Sequence, residues 1–258
     1  VSGLSLSLGR AKRRDSPAFS PEQNTKLKAW LRLAASSQSG GEWTNWVDVL
    51  NANPGVINAA RRPAVGASAN GIPLATFATN DCVSVPLIPA NNQTTKTSIA
   101  MWVRVGNLVG TNTLVTYSVG TAGASARKLF MLLDSAERVR VDAYIAGTAG
   151  RIFTTTAGLT QNAFAWVRLN YNSLLGGDAN LTARINAAAA AGAYTDAGAG
   201  GVLTTLPTVT GNLLIGNTND SAVASSPLFG DIAGNIYFFD DDLTAIEEAN
   251  YMNFDRPT

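Results

Sequence analysis

Apolar and polar residues alternate with a period of two along most of this chain, the spacing of strands with one buried and one wet face. Ile99, Met101, Val103 and Val105 fall on one face of such a segment, with Trp102 and Arg104 on the other. Val139, Val141, Ala143 and Ile145 alternate with Arg138, Arg140, Asp142 and Tyr144. Ala165, Val167, Leu169 and Tyr171 alternate with Trp166, Arg168 and Asn170; Leu181, Ala183, Ile185 and Ala187 alternate with Thr182, Arg184 and Asn186. Near the start, Leu27, Ala29, Leu31 and Leu33 alternate with Lys28, Trp30 and Arg32, which predicts a strand over about 27–34. Leu213-Leu214-Ile215 and Ile236 to Phe239 are short apolar runs that read as further strands. Gly, Asn, Asp and Pro stand between these segments. Many short strands divided by turn residues predict an all-β protein, an antiparallel two-sheet β-sandwich of the jelly-roll kind.

Helical signals are few. Thr244 and Glu247 have the spacing of a capping box, in which each side chain satisfies a backbone N–H that the first helical turn leaves open. Ser20-Pro21-Glu22-Gln23 joins N-cap, proline and glutamine signals and predicts one helical turn. Ala187 to Ala191 is made of the best helix former, but this short run between Asn186 and Gly192 cannot nucleate a helix unsupported. It reads as a strand end running into a loop. Residues 35–76 read as loop-rich, broken at Ser36–Gly41, Asn51–Gly55 and Arg61-Arg62-Pro63.

Composition narrows the picture. The chain has 258 residues, 46% of them hydrophobic, enough for one large sandwich core. Charged residues make up 14%, against about 25% in an average soluble protein, a balance that suits packing against copies of itself. Residues 1–14 carry Arg10, Lys12, Arg13 and Arg14 and no acid; the remaining 15 bases face 18 acids, so a basic arm is joined to a body of net charge −3. Leu4, Leu6 and Leu8 alternate with serines and suit one strand added to a neighbouring subunit's sheet edge. An extended arm for assembly or anchoring is therefore expected over residues 1–24, and the sandwich over 25–258. The arm lacks the interleaved aromatics of a nucleic-acid binder, so a protein neighbour suits it better. No apolar run approaches a membrane span, and Val1–Leu8 is too short for a signal-peptide core, so neither membrane nor export is expected. Val1 suggests a non-AUG start or a processed end.

Several motifs, taken in order, carry a family resemblance. Gly230-Asp231-Ile232, the apolar strand to Phe239, a turn, and Leu243-Thr244 with Glu247 together resemble the closing segment of concanavalin A-like (laminin-G-like) jelly-roll domains. Ile99 to Val103, the hairpin from Leu129 to Ile145, Phe164 to Tyr171, Leu181 to Asn186 and Leu213 to Asn217 are similar to successive strands of that family. Upstream, Trp46-x-Asp48, Ala60-Arg61-Arg62-Pro63, Asn70-Gly71-Ile72-Pro73 with Phe77, and Asp81 resemble a leader found before such domains in bacteriophage virion proteins and large bacterial surface proteins. Two positions depart from the pattern. Arg32 stands where the leader often has an acid, and Ala187 where the family usually has glycine.

The chemistry that the sequence excludes is as informative. With no histidine and with Cys82 as the single cysteine, there is no nucleophile–histidine pair, no intrachain disulfide and no zinc set. No cofactor is expected. Calcium, which needs only oxygen ligands, stays open, but Asp81, Asp178, Asp220 and Asp231 form no ligand series and read as turn residues. Glycoside hydrolysis needs two carboxylates flanking one bond, and the Asp240-Asp241-Asp242 and Glu247-Glu248 cluster sits instead at a turn and a helix start. For sugar binding, Trp43 and Trp46 are the aromatic candidates, with core packing the competing reading. Trp102 and Trp166 read as packed between the sheets. The resemblance implies a non-enzymatic structural protein of a bacteriophage virion, a capsid-decorating or tail-appendage component anchored through its arm. Its expected partners are other virion proteins and further copies of the chain. The alternative is a carbohydrate-binding adhesin for a host surface glycan; a glycoside hydrolase is the weaker alternative.

Overall fold

The computed structural model describes residues 19–106, 110–118, 128–146, 149–175, 177–197, 205–207, 209, 211–218 and 226–257. In chain order its strands are β1 (Leu27–Arg32), β2 (Gln38–Ser39), β3 (Glu42–Trp43), β4 (Asn45–Asp48), β5 (Asn53–Val56), β6 (Ala64–Ala69), β7 (Ile72–Phe77), β8 (Val83–Pro86), β9 (Lys96–Val105) and β10 (Asn112–Ser118). They continue with β11 (Leu129–Leu133), β12 (Arg138–Ala146), β13 (Ala149–Gly158), β14 (Phe164–Asn172), β15 (Leu181–Ile185), β16 (Ala188–Ala189), β17 (Gly192–Ala197), β18 (Asn212–Ile215) and β19 (Gly230–Phe239). A helix, α1 (Ala245–Phe254), follows. All strand pairings among the described residues are antiparallel.

Two layers result. The first runs β16-β15-β14-β9-β19, and the far edge of β19 is shared by β1 along one half and β7 along the other. A bulge permits this sharing. The register of β19 against β9 shifts between Ala233 and Ile236, where Gly234 adopts φ +65°, a conformation that costs glycine little. The second layer runs β17-β13-β12-β11-β10-β18-β8-β5-β4. Pairing of Leu31 with Asp48, and of Arg32 with Val47, joins the two layers through β1 and β4. The expected all-β sandwich is thus the fold.

Between the layers lies a core built from the apolar sets that alternation singled out: Ile99, Met101, Val103 and Val105 from β9, Val139, Val141 and Ala143 from β12, and Val167 and Leu169 from β14. The expectation of loops over 35–76 is corrected. That stretch holds β2 to β6 and most of β7, strands of only two to six residues interrupted by Gly, Pro and Asn, too short to show a period. The tight turn between β15 and β16 places Asn186 at φ +50° and Ala187 at φ +63°, the left-handed pair of a two-residue hairpin. This is where glycine is usual in the resembling family. The described part of the expected arm, residues 19–24, is packed rather than extended. Phe19 meets the Tyr251 ring edge-on at 5.0 Å, and the Tyr251 hydroxyl donates to the Pro21 carbonyl at 3.1 Å.

Candidate functional site

A second apolar layer covers the outer face of the first sheet. Trp30, Trp102, Trp166, Tyr237 and Phe239 point away from the sandwich interior and pack beneath Leu243 and Tyr251. This corrects the placement of Trp102 and Trp166 between the sheets: they are cross-strand partners, their rings meeting edge-on at 5.8 Å, under the helix. Fully burying a large apolar side chain contributes about 1.5–3 kcal/mol, and Tyr251 is the ring that α1 itself brings to this layer.

Ion pairs fix where the helix sits. Thr244 and Glu247 close the expected capping box, with Glu247 N donating to Thr244 Oγ1 at 3.2 Å and Thr244 N donating to Glu247 Oε2 at 2.7 Å. Glu248 is fully buried. It accepts from Arg184 Nε at 2.7 Å and from Trp166 Nε1 at 3.2 Å, and lies 3.4 Å from Arg168 Nε. Arg168, 1% exposed, also pairs with Asp242 at 3.0 Å, and its burial pulls the guanidinium pKa down. The acid cluster of 240–248 is therefore consumed by structure: Asp240 pairs with Lys28, Asp241 with Lys96, and Glu247 with Lys26.

Where α1 ends, the outer face is left open. A groove of about 750 Å³ lies there, within the range of small-ligand pockets, and its lining includes Trp102, Arg104, Asn162, Phe164, Asn186 and Arg256. A smaller cleft of about 230 Å³ adjoins it around Phe164 and Asn186. Trp102 and Met252 belong to the lining, with Trp102 Nε1 donating to the Met252 carbonyl at 3.1 Å. The Arg104 guanidinium carbon stands over the Phe164 ring, 4.8 Å from its centroid, and its Nε donates to Asp231 Oδ2 at 2.7 Å. Asn186 Oδ1 accepts from Trp166 N at 3.0 Å. Arg256 is exposed and has no ion pair among the described residues. Its neighbour Asp255 is buried beside Asn235, and burial pushes that carboxyl up to about 7.

The residues singled out from sequence lie elsewhere. Trp43 and Trp46 are 1% and 0% exposed, and both belong to the core between the sheets. Trp43 Nε1 donates to the Leu74 carbonyl at 2.9 Å, and the Trp46 ring leans on Phe77 at 6.5 Å. Neither ring offers a face to a sugar, so that assignment is withdrawn. Leu4, Leu6, Leu8, Arg10, Lys12, Arg13 and Arg14 lie outside the described residues, as does Asp220. Asp81 accepts from Ala78 N, Asp178 pairs with Arg151, and Asp231 with Arg104. Among the described residues no group of three acidic, Cys or His side chains could hold a metal ion. Sequence reading missed Arg104, Phe164, Asn162, Asn186 and Arg256 as a group. The one available signal was Trp102 and Arg104 on the same face of a strand.

No protein-family model and no curated protein matches the chain. Solved structures do. A Trypanosoma rangeli sialidase in complex with 2,3-difluoro-KDN is similar at 16% identity and a TM-score of 0.55, over 91% of this chain and 34% of that one. The botulinum neurotoxin serotype D ligand-binding domain in complex with N-acetylneuraminic acid is similar at 10% identity and a TM-score of 0.58, over 88% of this chain and 51% of that one. The serotype G binding domain matches at 9% identity with the same TM-score and coverage. The chain thus spans about a third of the sialidase and half of each toxin chain. The likeness is one of fold, a β-sandwich, and shows no link to bacteriophage virions. It also corrects the expectation that the chain is not an enzyme: the fold is shared with sialidases, which are enzymes, so the architecture gives no ground for that exclusion.

Proposed function

We propose that the chain is a carbohydrate-binding β-sandwich that takes its glycan in the outer-face groove beyond the end of α1. The observation carrying this reading is the convergence there of Phe164, Asn162, Asn186, Arg104 and Arg256, an aromatic surface ringed by amide and guanidinium donors. Carbohydrate recognition needs an apolar platform plus directed hydrogen bonds, and small-ligand sites combine those features. The sugar-bound state of two of the similar structures agrees with this reading. Location in a virion is a further proposal from the sequence resemblance, and anchoring through residues 1–24 one from the alternation and basic charge of that segment.

The test is a titration of the purified protein against a glycan array, followed by calorimetry on the best binder. Phe164→Ala removes the platform beneath Arg104 and should weaken binding at least tenfold. Binding that survives Phe164→Ala unchanged in a folded variant would move the site away from this groove.

A further inference from the structure

Resting on the glycan-binding reading, we infer that the groove selects an acidic saccharide and receives its carboxylate on Arg104 and Arg256. The two cations are held differently. Arg104 is held by two contacts: its guanidinium carbon stands 4.8 Å from the Phe164 ring centroid, and Asp231 Oδ2 accepts from its Nε at 2.7 Å. Asp231 is itself held in place: its other oxygen accepts from Thr76 Oγ1 at 2.5 Å, and it is 7% exposed. The support is tightly built. A Cβ on Gly66 would meet Thr76 Oγ1 at 2.6 Å and Leu74 Cβ at 2.9 Å, so only glycine lets β6 close over this pair.

This arrangement occupies one nitrogen of the Arg104 fork. Nη1 and Nη2 make no hydrogen bond to any described residue, and the side chain is 37% exposed. A guanidinium with two adjacent free N–H groups in a fixed plane matches a carboxylate in bidentate geometry. Arg256 adds an exposed charge that forms no ion pair among the described residues. No carboxylate lines the groove among the described residues. Asn186 contributes Nδ2, its oxygen being engaged by Trp166 N. The groove thus offers guanidinium and amide donors and, among the described residues, no anionic acceptor. A neutral sugar hydroxyl can donate as well as accept, whereas a carboxylate only accepts. The ligand that satisfies most of these groups is an acidic sugar.

The experiment compares matched pairs by calorimetry and NMR titration at low and physiological salt: glucuronic acid against glucose, and N-acetylneuraminic acid against its methyl ester. The acid member of at least one pair should bind at least tenfold more tightly, and added salt should narrow the gap. Arg256→Gln, at an exposed position, should cost the acid several-fold and leave the neutral partner unchanged. Arg104→Lys keeps the charge but loses the fork, and should cost the acid tenfold. Equal binding of acid and neutral partners, lost in Phe164→Ala, would overturn acid selection while leaving glycan binding in the groove intact. Acid binding insensitive to both arginine substitutions would overturn the assignment of the anion site. If glucose 6-sulfate binds as tightly as the acids, the groove reads charge and not the carboxylate. Absence of binding by every member of the panel, neutral or acidic, would overturn the inference together with the reading it rests on.

Discussion

Replacing Glu248 by Gln changes almost nothing in shape and removes one buried charge. In the native protein Glu248 is fully buried between Arg184 and Arg168, and Arg168 is itself 1% exposed. After Glu248→Gln the ion-pair partner left to Arg168 among the described residues is Asp242, which is 57% exposed and so solvated in part, with Glu247 a weaker electrostatic neighbour. Breaking a buried pair by removing one partner costs about 3–5 kcal/mol, because the remaining charge stays desolvated. The Arg184 end contributes less, since that side chain is 25% exposed. The expected loss for Glu248→Gln is thus about 3 kcal/mol, read from urea unfolding by linear extrapolation. Arg168→Met should also destabilise. The double variant should be more stable than the sum of the two losses predicts, by at least about 1 kcal/mol, because neither charge is then stranded. A cost below about 1 kcal/mol with no coupling would refute the claim that this network holds α1 in register. The groove should respond too, since Met252 and Arg256 reach it through the end of that helix.

Ala187→Gly should stabilise the protein. A left-handed non-glycine residue costs about 1–2 kcal/mol and glycine's extra freedom when unfolded returns roughly half of that, so a gain of about 0.5–1 kcal/mol is expected in the urea midpoint. Asp255 has a folded pKa raised to about 7 by burial, above an unfolded value of about 3.9. The folded state then holds the extra proton, so its contribution to stability is complete below about pH 4 and is lost as pH rises through 7; Asp255→Asn should flatten that fall in a pH series of melting curves. Lys128 shows the opposite sign. It is buried, donates to Asn92 Oδ1 at 2.6 Å, and burial lowers its ammonium to about 7. Stability should climb from pH 7 towards 10 as the unfolded chain loses its excess protons, and Lys128→Met should be the more stable form at neutral pH with that climb removed.

The long strands were legible because each buries one continuous apolar set. β9, β12 and β14 announce themselves by Ile99 to Val105, Val139 to Ala143 and Ala165 to Tyr171. The outer layer was not, for a reason that lies in α1. Its buried residues are Glu248 and Tyr251, while Ile246 is 76% exposed, so the helix carries no apolar stripe to say that it covers a sheet. Without that cover, Trp102 and Trp166 had no destination except the interior. The groove was harder still. Arg104, Phe164, Asn186 and Arg256 are far apart in sequence, and the register of Phe164 opposite Arg104 brings the first two together. Trp43 and Trp46 drew attention because their surroundings looked like loop, when their short strands in fact turn both rings inward.

Phe19 lies against Tyr251 and Phe254, so the first and last described elements leave the sandwich at one corner. The mechanics of the domain follow from this. Leu27, at the start of β1, pairs with Phe239, at the end of β19. Tension drawn through both flanks of the chain would part this seam from one end, unzipping one pair after another and not shearing them all at once.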